Sequence, residues 1–200
     1  MTASNVLSFS RILLAIPILY FLSFNTPAFN WVAFVIGLIA AATDYFDGWL
    51  ARRYGTVSTL GKYLDPVADK LLVGSLAVHL AFFRGNLPSW FAALIVGKDA
   101  LILVGGLVLL LKKIVVQADG PGKYTVSIVS LVFICFIFNL NALGEWVLAA
   151  AVLFVLYSSY FYYLKFLILL EKNSSLFYRA VLPLLVLIPG LGLAIRAYFF

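Results

Sequence analysis

Long apolar runs separated by short polar loops recur from one end of this chain to the other, and no other feature constrains its fold as strongly. A helix needs about 20 apolar residues to cross the hydrocarbon core of a bilayer. The runs fall at approximately 7–24, 30–53, 64–84, 88–111, 124–141 and 145–170. They are too long for barrel strands, and inside lipid a helix satisfies its own backbone. A seventh apolar segment, about 176–199, contains Pro183 and Pro189, which predicts a kink or two short helices. The expected fold is all-α: a polytopic integral membrane protein with a six-helix transmembrane core and an extra C-terminal hydrophobic segment. Residues 1–170 form the membrane domain in this reading, and residues 171–200 are the addition.

Composition agrees. Of the 200 residues, 64% are apolar and 11% charged, against about a quarter charged in a soluble domain. A soluble particle of this size could not hide so much apolar surface. That excludes a soluble enzyme, a disordered tail and a nucleic-acid binder, and makes the lipid bilayer the first partner. The net charge of +6 then reflects basic residues flanking spans. The single cysteine, Cys135, lies in an apolar run, cannot form an internal disulfide, and reads as a small buried hydrophobe. The first run has the length of a signal peptide, but only Arg11 precedes it and a small-residue cleavage pattern is missing, so it reads as a retained span.

Alternate loops carry the positive charge. Arg52, Arg53 and Lys62 lie between the second and third runs, Lys112, Lys113 and Lys123 between the fourth and fifth, and Lys172 and Arg179 after the sixth. Residues 25–29 and 142–144 carry no basic charge, and 85–87 none beyond the adjacent Arg84. The basic loops are expected in the cytoplasm, with the N-terminus on that side. If the last segment crosses once, the C-terminus lies outside.

Four of the eight acidic residues, Asp44, Asp47, Asp65 and Asp69, fall within one stretch at the ends of two adjacent runs. An ionised aspartate in a bilayer costs several kcal/mol unless it is paired or ligated. Asp44 and Asp47 are three apart and Asp65 and Asp69 four apart, so each pair shares a helix face. Four hard oxygen donors without histidine or thiolate suit Mg²⁺ or Mn²⁺ rather than zinc. Their charge is about what two divalent ions neutralise, and a two-metal clamp is a recurrent device for displacement at phosphorus. The simpler alternative is a set of snorkelling acids paired with Arg52, Arg53, Lys62 and Lys70.

The run Asp44-Tyr-Phe-Asp47-Gly48-Trp-Leu-Ala51-Arg52, followed after eight residues by Gly61-Lys-Tyr-Leu-Asp65-Pro-Val-Ala-Asp69, resembles the signature of the CDP-alcohol phosphatidyltransferases, D-x2-D-G-x2-A-R then G-x3-D-x3-D. All eight defining positions are present, and a looser resemblance extends from about residue 5 to 170. It implies an enzyme that moves a phosphatidyl group from CDP-diacylglycerol to a polar acceptor alcohol, releasing CMP, in phospholipid synthesis. It implies two Mg²⁺ or Mn²⁺ ions per site on Asp44, Asp47, Asp65 and Asp69, with Asp69 also the general base on the acceptor hydroxyl. Donor-binding residues would be Gly48, Ala51, Arg52 and Gly61, together with Asn5 and Ser8 from an N-terminal run that also resembles the family. Taken alone, Gly48 reads equally as a helix-packing residue, Arg52 as a topology signal, Gly61 as a turn glycine, and Asn5 and Ser8 as a helix cap. A homodimer is the assembly that the resemblance allows, although the sequence shows no interface.

The acceptor is less constrained. Leu64-Asp-Pro-Val-Ala-Asp-Lys-Leu-Leu-Val73 resembles the branch that makes phosphatidylglycerol phosphate from glycerol 3-phosphate. Lys98, Lys112 and Lys123 are the expected acceptor cations. The alternatives are that Lys98 pairs with its neighbour Asp99 and that the loop lysines only set topology. Two departures stand out. Gly105 occupies the place of the branch's usual second arginine, and Gly122-Lys-Tyr-Thr125 is one lysine short of Gly-Lys-x-Lys-Thr. Lys98-Asp99 is also similar to the Arg-Asp of the cardiolipin synthase branch, so phosphatidylglycerol and inositol phosphate remain alternative acceptors. A metal-ion transporter is the reading from another class, because intramembrane carboxylates often line ion paths. His79, a lone histidine in an apolar run, reads as a packed or hydrogen-bonded residue.

Overall fold

The computed structural model describes the backbone of residues 3–54, 61–111 and 120–170, and the side chains of 12–43, 67–109, 122 and 124–167. Six helices account for nearly all of it: α1 (Ala3–Ser23), α2 (Pro27–Tyr54), α3 (Gly61–Val78), α4 (Ser89–Leu111), α5 (Gly120–Ile137) and α6 (Asn141–Leu170). There is no strand among the described residues. The C-terminal segment from 171 onward lies outside them.

Helix centres coincide with the apolar runs, but most starts lie three or four residues earlier than hydropathy indicates. The first turns are polar or small, as in Gly61-Lys-Tyr and Gly120-Pro-Gly-Lys, and carry no apolar signal. The start of α2 shows the local cause. Thr26 caps it, its hydroxyl accepting from the Phe29 amide at 3.4 Å, and Pro27 takes the first helical position, where a missing N–H is harmless. α3 ends in a wide turn, His79–Phe83, closed by the Arg84 amide donating to the His79 carbonyl at 3.1 Å. That spacing of five residues is a π-helical bond.

The chain divides into two compact units. Unit 1 comprises Met1–Ala92 and Phe133–Asn141. Within it α1 packs against both α2 and α3. A three-residue turn reverses the chain between α1 and α2, with Asn25 at a φ of 48°. The rings of Phe21 and Phe24 lie 5.7 and 4.8 Å from Phe29 and close this corner. A polar cluster ties the same end together. Arg84 donates to the side-chain oxygens of Asn25 and Asn30 and to the Ile137 carbonyl, Asn30 donates to Ile137 at 2.8 Å, and Asn86 donates to the Phe136 carbonyl at 2.6 Å. Asn139, at φ 57°, ends α5 with the paired bonds Asn139 N–H to Phe136 and Leu140 N–H to Cys135. This is a Schellman ending, which favours glycine or asparagine at the left-handed position.

Unit 2 comprises Ala93–Val132 and Ala142–Phe200. It contributes most of the two helical segments long and apolar enough to cross a membrane, Ser89–Leu109 and Asn141–Leu167. Only 22% and 28% of their most apolar windows are buried, so these are not the covered core helices of a soluble protein. Leu101, Leu107, Trp146 and Leu153 face outward, a surface that suits lipid and not water.

Candidate active site

The signature residues bracket the junction of α2 and α3. Asp44, Asp47, Gly48, Ala51 and Arg52 lie in the C-terminal part of α2, and Gly61 is the first residue of α3, with Asp65 and Asp69 following one and two turns later. Only six residues, 55–60, separate the helices, so the two aspartate pairs stand at the joined ends of consecutive helices. Because α1 runs antiparallel to α2 across a short turn, its first turns, with Asn5 and Ser8, belong to this end of unit 1 as well. The side chains of Asn5, Ser8, Asp44, Asp47, Gly48, Ala51, Arg52, Gly61 and Asp65 lie outside the described residues. Asp69 is described: it is exposed, next to the wholly buried Ala68, so α3 packs one side here and leaves the other open. One turn before Asp44 the helix is apolar, and the Thr43 hydroxyl is absorbed by the carbonyls of Ile39 and Ala40 at 3.0 and 2.9 Å. The strongly polar positions therefore begin at Asp44.

The expected acceptor residues fall in different places. Lys98 lies midway along α4 and forms an ion pair with Asp99, Nζ to Oδ1 at 2.9 Å, both side chains being nearly buried. Lys112 lies outside the described residues. Lys123 is in the first turn of α5, its side chain outside the described set. Gly105, also on α4, has the ring of Phe166 beside it: a Cβ there would meet the ring at 3.5 and 3.6 Å, an ordinary contact. His79 is buried in unit 1 and stacked on Phe83 at 5.3 Å.

Sequence reading passes over a seam between α5 and α6 in unit 2. A Cβ on Gly122 would collide with the hydroxyl of Tyr162 and lie 3.4 and 3.5 Å from its Cζ and Cε2. One turn on, the buried Thr125 donates its hydroxyl to the Phe154 carbonyl at 3.3 Å. Ser158 is 0% exposed and its hydroxyl has no hydrogen-bond partner among the described residues. Phe154, Ser158 and Tyr162 follow one another at four-residue steps, one stripe of a helix. In sequence Tyr162 is one of many aromatics in Tyr157–Tyr163, and only the four-residue spacing from Ser158 hints at its place.

Comparison with known proteins gives this arrangement a family. The family model for CDP-alcohol phosphatidyltransferase matches residues 1–157. The chain belongs to the CDP-alcohol phosphatidyltransferase family. It is 34% identical over 133 residues to a CDP-diacylglycerol–glycerol-3-phosphate 3-phosphatidyltransferase of Aquifex aeolicus, covering 66% of this chain and 72% of the relative. It is 42% identical over 108 residues to a protein of the same name from Pseudomonas fluorescens, covering 51% and 53%. It is also 35% identical over 108 residues to a cardiolipin synthase (CMP-forming) of Streptomyces coelicolor, covering 52% and 49%. The last two matches span about half the length of each relative. Membership makes the chain a transferase and gives no support to the transporter reading.

Proposed function

We propose that this chain is a membrane-embedded transferase that moves the phosphatidyl group of CDP-diacylglycerol to glycerol 3-phosphate, releasing CMP and forming phosphatidylglycerol phosphate. The observation that carries the reading is the placement of all eight signature positions at the joined ends of α2 and α3, in a chain whose first 157 residues match the family. The relatives from Aquifex and Pseudomonas, both named for this acceptor, support the choice of glycerol 3-phosphate. The bilayer is the setting: all six helices span it in this reading, with the aspartate end toward the cytoplasm, where the basic loops lie. A homodimer is the assembly taken over from the family.

Asp44, Asp47, Asp65 and Asp69 fit a pair of Mg²⁺ or Mn²⁺ ions as a donor set, being hard oxygens in pairs at i, i+3 and i, i+4 on two joined helix ends. Such ions would stabilise the charge that builds on the departing CMP. The protein's own groups do the rest. Gly48 and Ala51 present little bulk, so the nucleotide approaches the α2 backbone closely. Arg52, with Asn5, Ser8 and Gly61 at the same end, holds the donor. Asp69 accepts the proton of the acceptor hydroxyl as its oxygen bonds to the phosphatidyl phosphorus and the bond from that phosphorus to CMP breaks. Lys98, Lys112 and Lys123 supply positive charge for the acceptor's phosphate. A second acceptor, phosphatidylglycerol, is favoured by the Streptomyces relative and by the Lys98–Asp99 pair that the cardiolipin synthase branch resembles.

The test is CMP release by purified protein given CDP-diacylglycerol, Mg²⁺ and, in turn, glycerol 3-phosphate, phosphatidylglycerol and inositol phosphate. Release is expected with glycerol 3-phosphate. It should fall by about 10²-fold or more in Asp69→Asn, the scale of a lost general base, and vanish with EDTA. Release only with phosphatidylglycerol would move the chain to the second acceptor, and release with none from folded protein would sink the enzyme reading.

A further inference from the structure

We propose that Tyr162 is a positioning residue for the acceptor, acting through Gly122 on the turn of α5 that carries Lys123. This rests on the reading of Lys123 as an acceptor cation. Three contacts in unit 2 point to it. The hydroxyl end of Tyr162 occupies the space where any side chain at position 122 would begin, with Cζ and Cε2 at 3.4 and 3.5 Å behind it. The tyrosine therefore abuts the backbone of α5 directly, at the residue before Lys123. One turn along, Thr125 Oγ1 donates to the Phe154 carbonyl at 3.3 Å, a second tie between the same two helices. Between these lies Ser158. In a helix a serine hydroxyl ordinarily finds the carbonyl four residues back, and for Ser158 that carbonyl is Phe154's, already accepting from Thr125. Its hydroxyl is fully buried and has no partner among the described residues.

A buried hydroxyl without a partner costs free energy, which the packing along this seam must offset. Gly122, Thr125 and Ser158 are all small, which lets α5 and α6 approach closely along this seam. A turn held in this way keeps Lys123 at a fixed place. For a phosphate-bearing acceptor that matters, because a displacement of about 1 Å in a substrate-holding group costs as much as 10²-fold. Tyr162 need not touch the acceptor to have this effect.

The experiment uses the full chain in proteoliposomes with saturating CDP-diacylglycerol and Mg²⁺, measuring CMP release against glycerol 3-phosphate concentration. Gly122→Ala should raise the acceptor KM about tenfold, with kcat and the donor KM within about twofold of wild type. Tyr162→Phe removes the colliding oxygen, so Gly122→Ala/Tyr162→Phe should return to within about twofold of Tyr162→Phe alone. An unchanged acceptor KM in Gly122→Ala would overturn the proposal. So would equal losses in acceptor KM, donor KM and melting temperature, which would make the contact ordinary packing. The same split seen with phosphatidylglycerol in place of glycerol 3-phosphate supports the positioning role and overturns only the choice of acceptor. Wild-type protein that releases no CMP with any acceptor overturns both readings.

Discussion

Two residues on α4 show how burial and function can be separated. Lys98 and Asp99 neutralise one another at 2.9 Å in a largely apolar segment. Removing one partner leaves a buried charge, which costs about 3 kcal/mol or more, whereas replacing both by apolar residues is often neutral. Lys98→Met should therefore lower the melting temperature, and Lys98→Met/Asp99→Leu should restore it. If Lys98 also serves the acceptor, the double variant will be stable but will show a raised KM for glycerol 3-phosphate. A double variant with wild-type kinetics would leave Lys98 a purely structural residue. The sequence puts these two side by side without saying which they are, because adjacency in a helix does not dictate contact.

The helices were legible in their centres and much less so at their ends. Hydropathy marks the middle of each run, but Gly61, Gly120 and Asn141 open their helices with polar or small turns. The signature was legible because its spacing survives any error in boundaries, and the helices then carry both aspartate pairs at joined ends. The polar cluster opposite was illegible. Asn25, Asn30, Arg84, Asn86 and Asn139 come from separate parts of the chain, and loops with so little charge looked featureless. Their weight is testable. Arg84→Met removes donors to Asn25, Asn30 and Ile137 together and should cost about 2–4 kcal/mol. At the end of α5, Asn139→Gly should be nearly neutral and Asn139→Ala should cost about 1 kcal/mol, because a Cβ is disfavoured at φ 57°. Thermal unfolding of the three variants in one detergent checks the order, and an Arg84→Met protein as stable as wild type would refute the cluster's role.

On the scale of the whole molecule, the sequence offers a topology and the structure offers a surface. The apolar residues that face outward on α4 and α6 suit a nonaqueous surrounding. If basic loops are cytoplasmic, the turn between α1 and α2 lies on the opposite side, where Thr26 is exposed. Thr26→Cys should then react with a membrane-impermeant maleimide in intact cells, while the native Cys135, 2% exposed, stays silent. Reaction only after permeabilisation would invert the orientation. The wide turn at His79–Phe83 has a consequence of its own. It carries one more residue than the same length of regular helix, so the turns before and after it keep nearly the phase they would have without that residue. Deleting Ala81 would let the helix close as an ordinary turn, with Arg84 left near its present place around the axis. The guanidinium would keep its asparagines and Asp69 its place, so this helix can gain or lose a residue in its wide turn without disturbing either end.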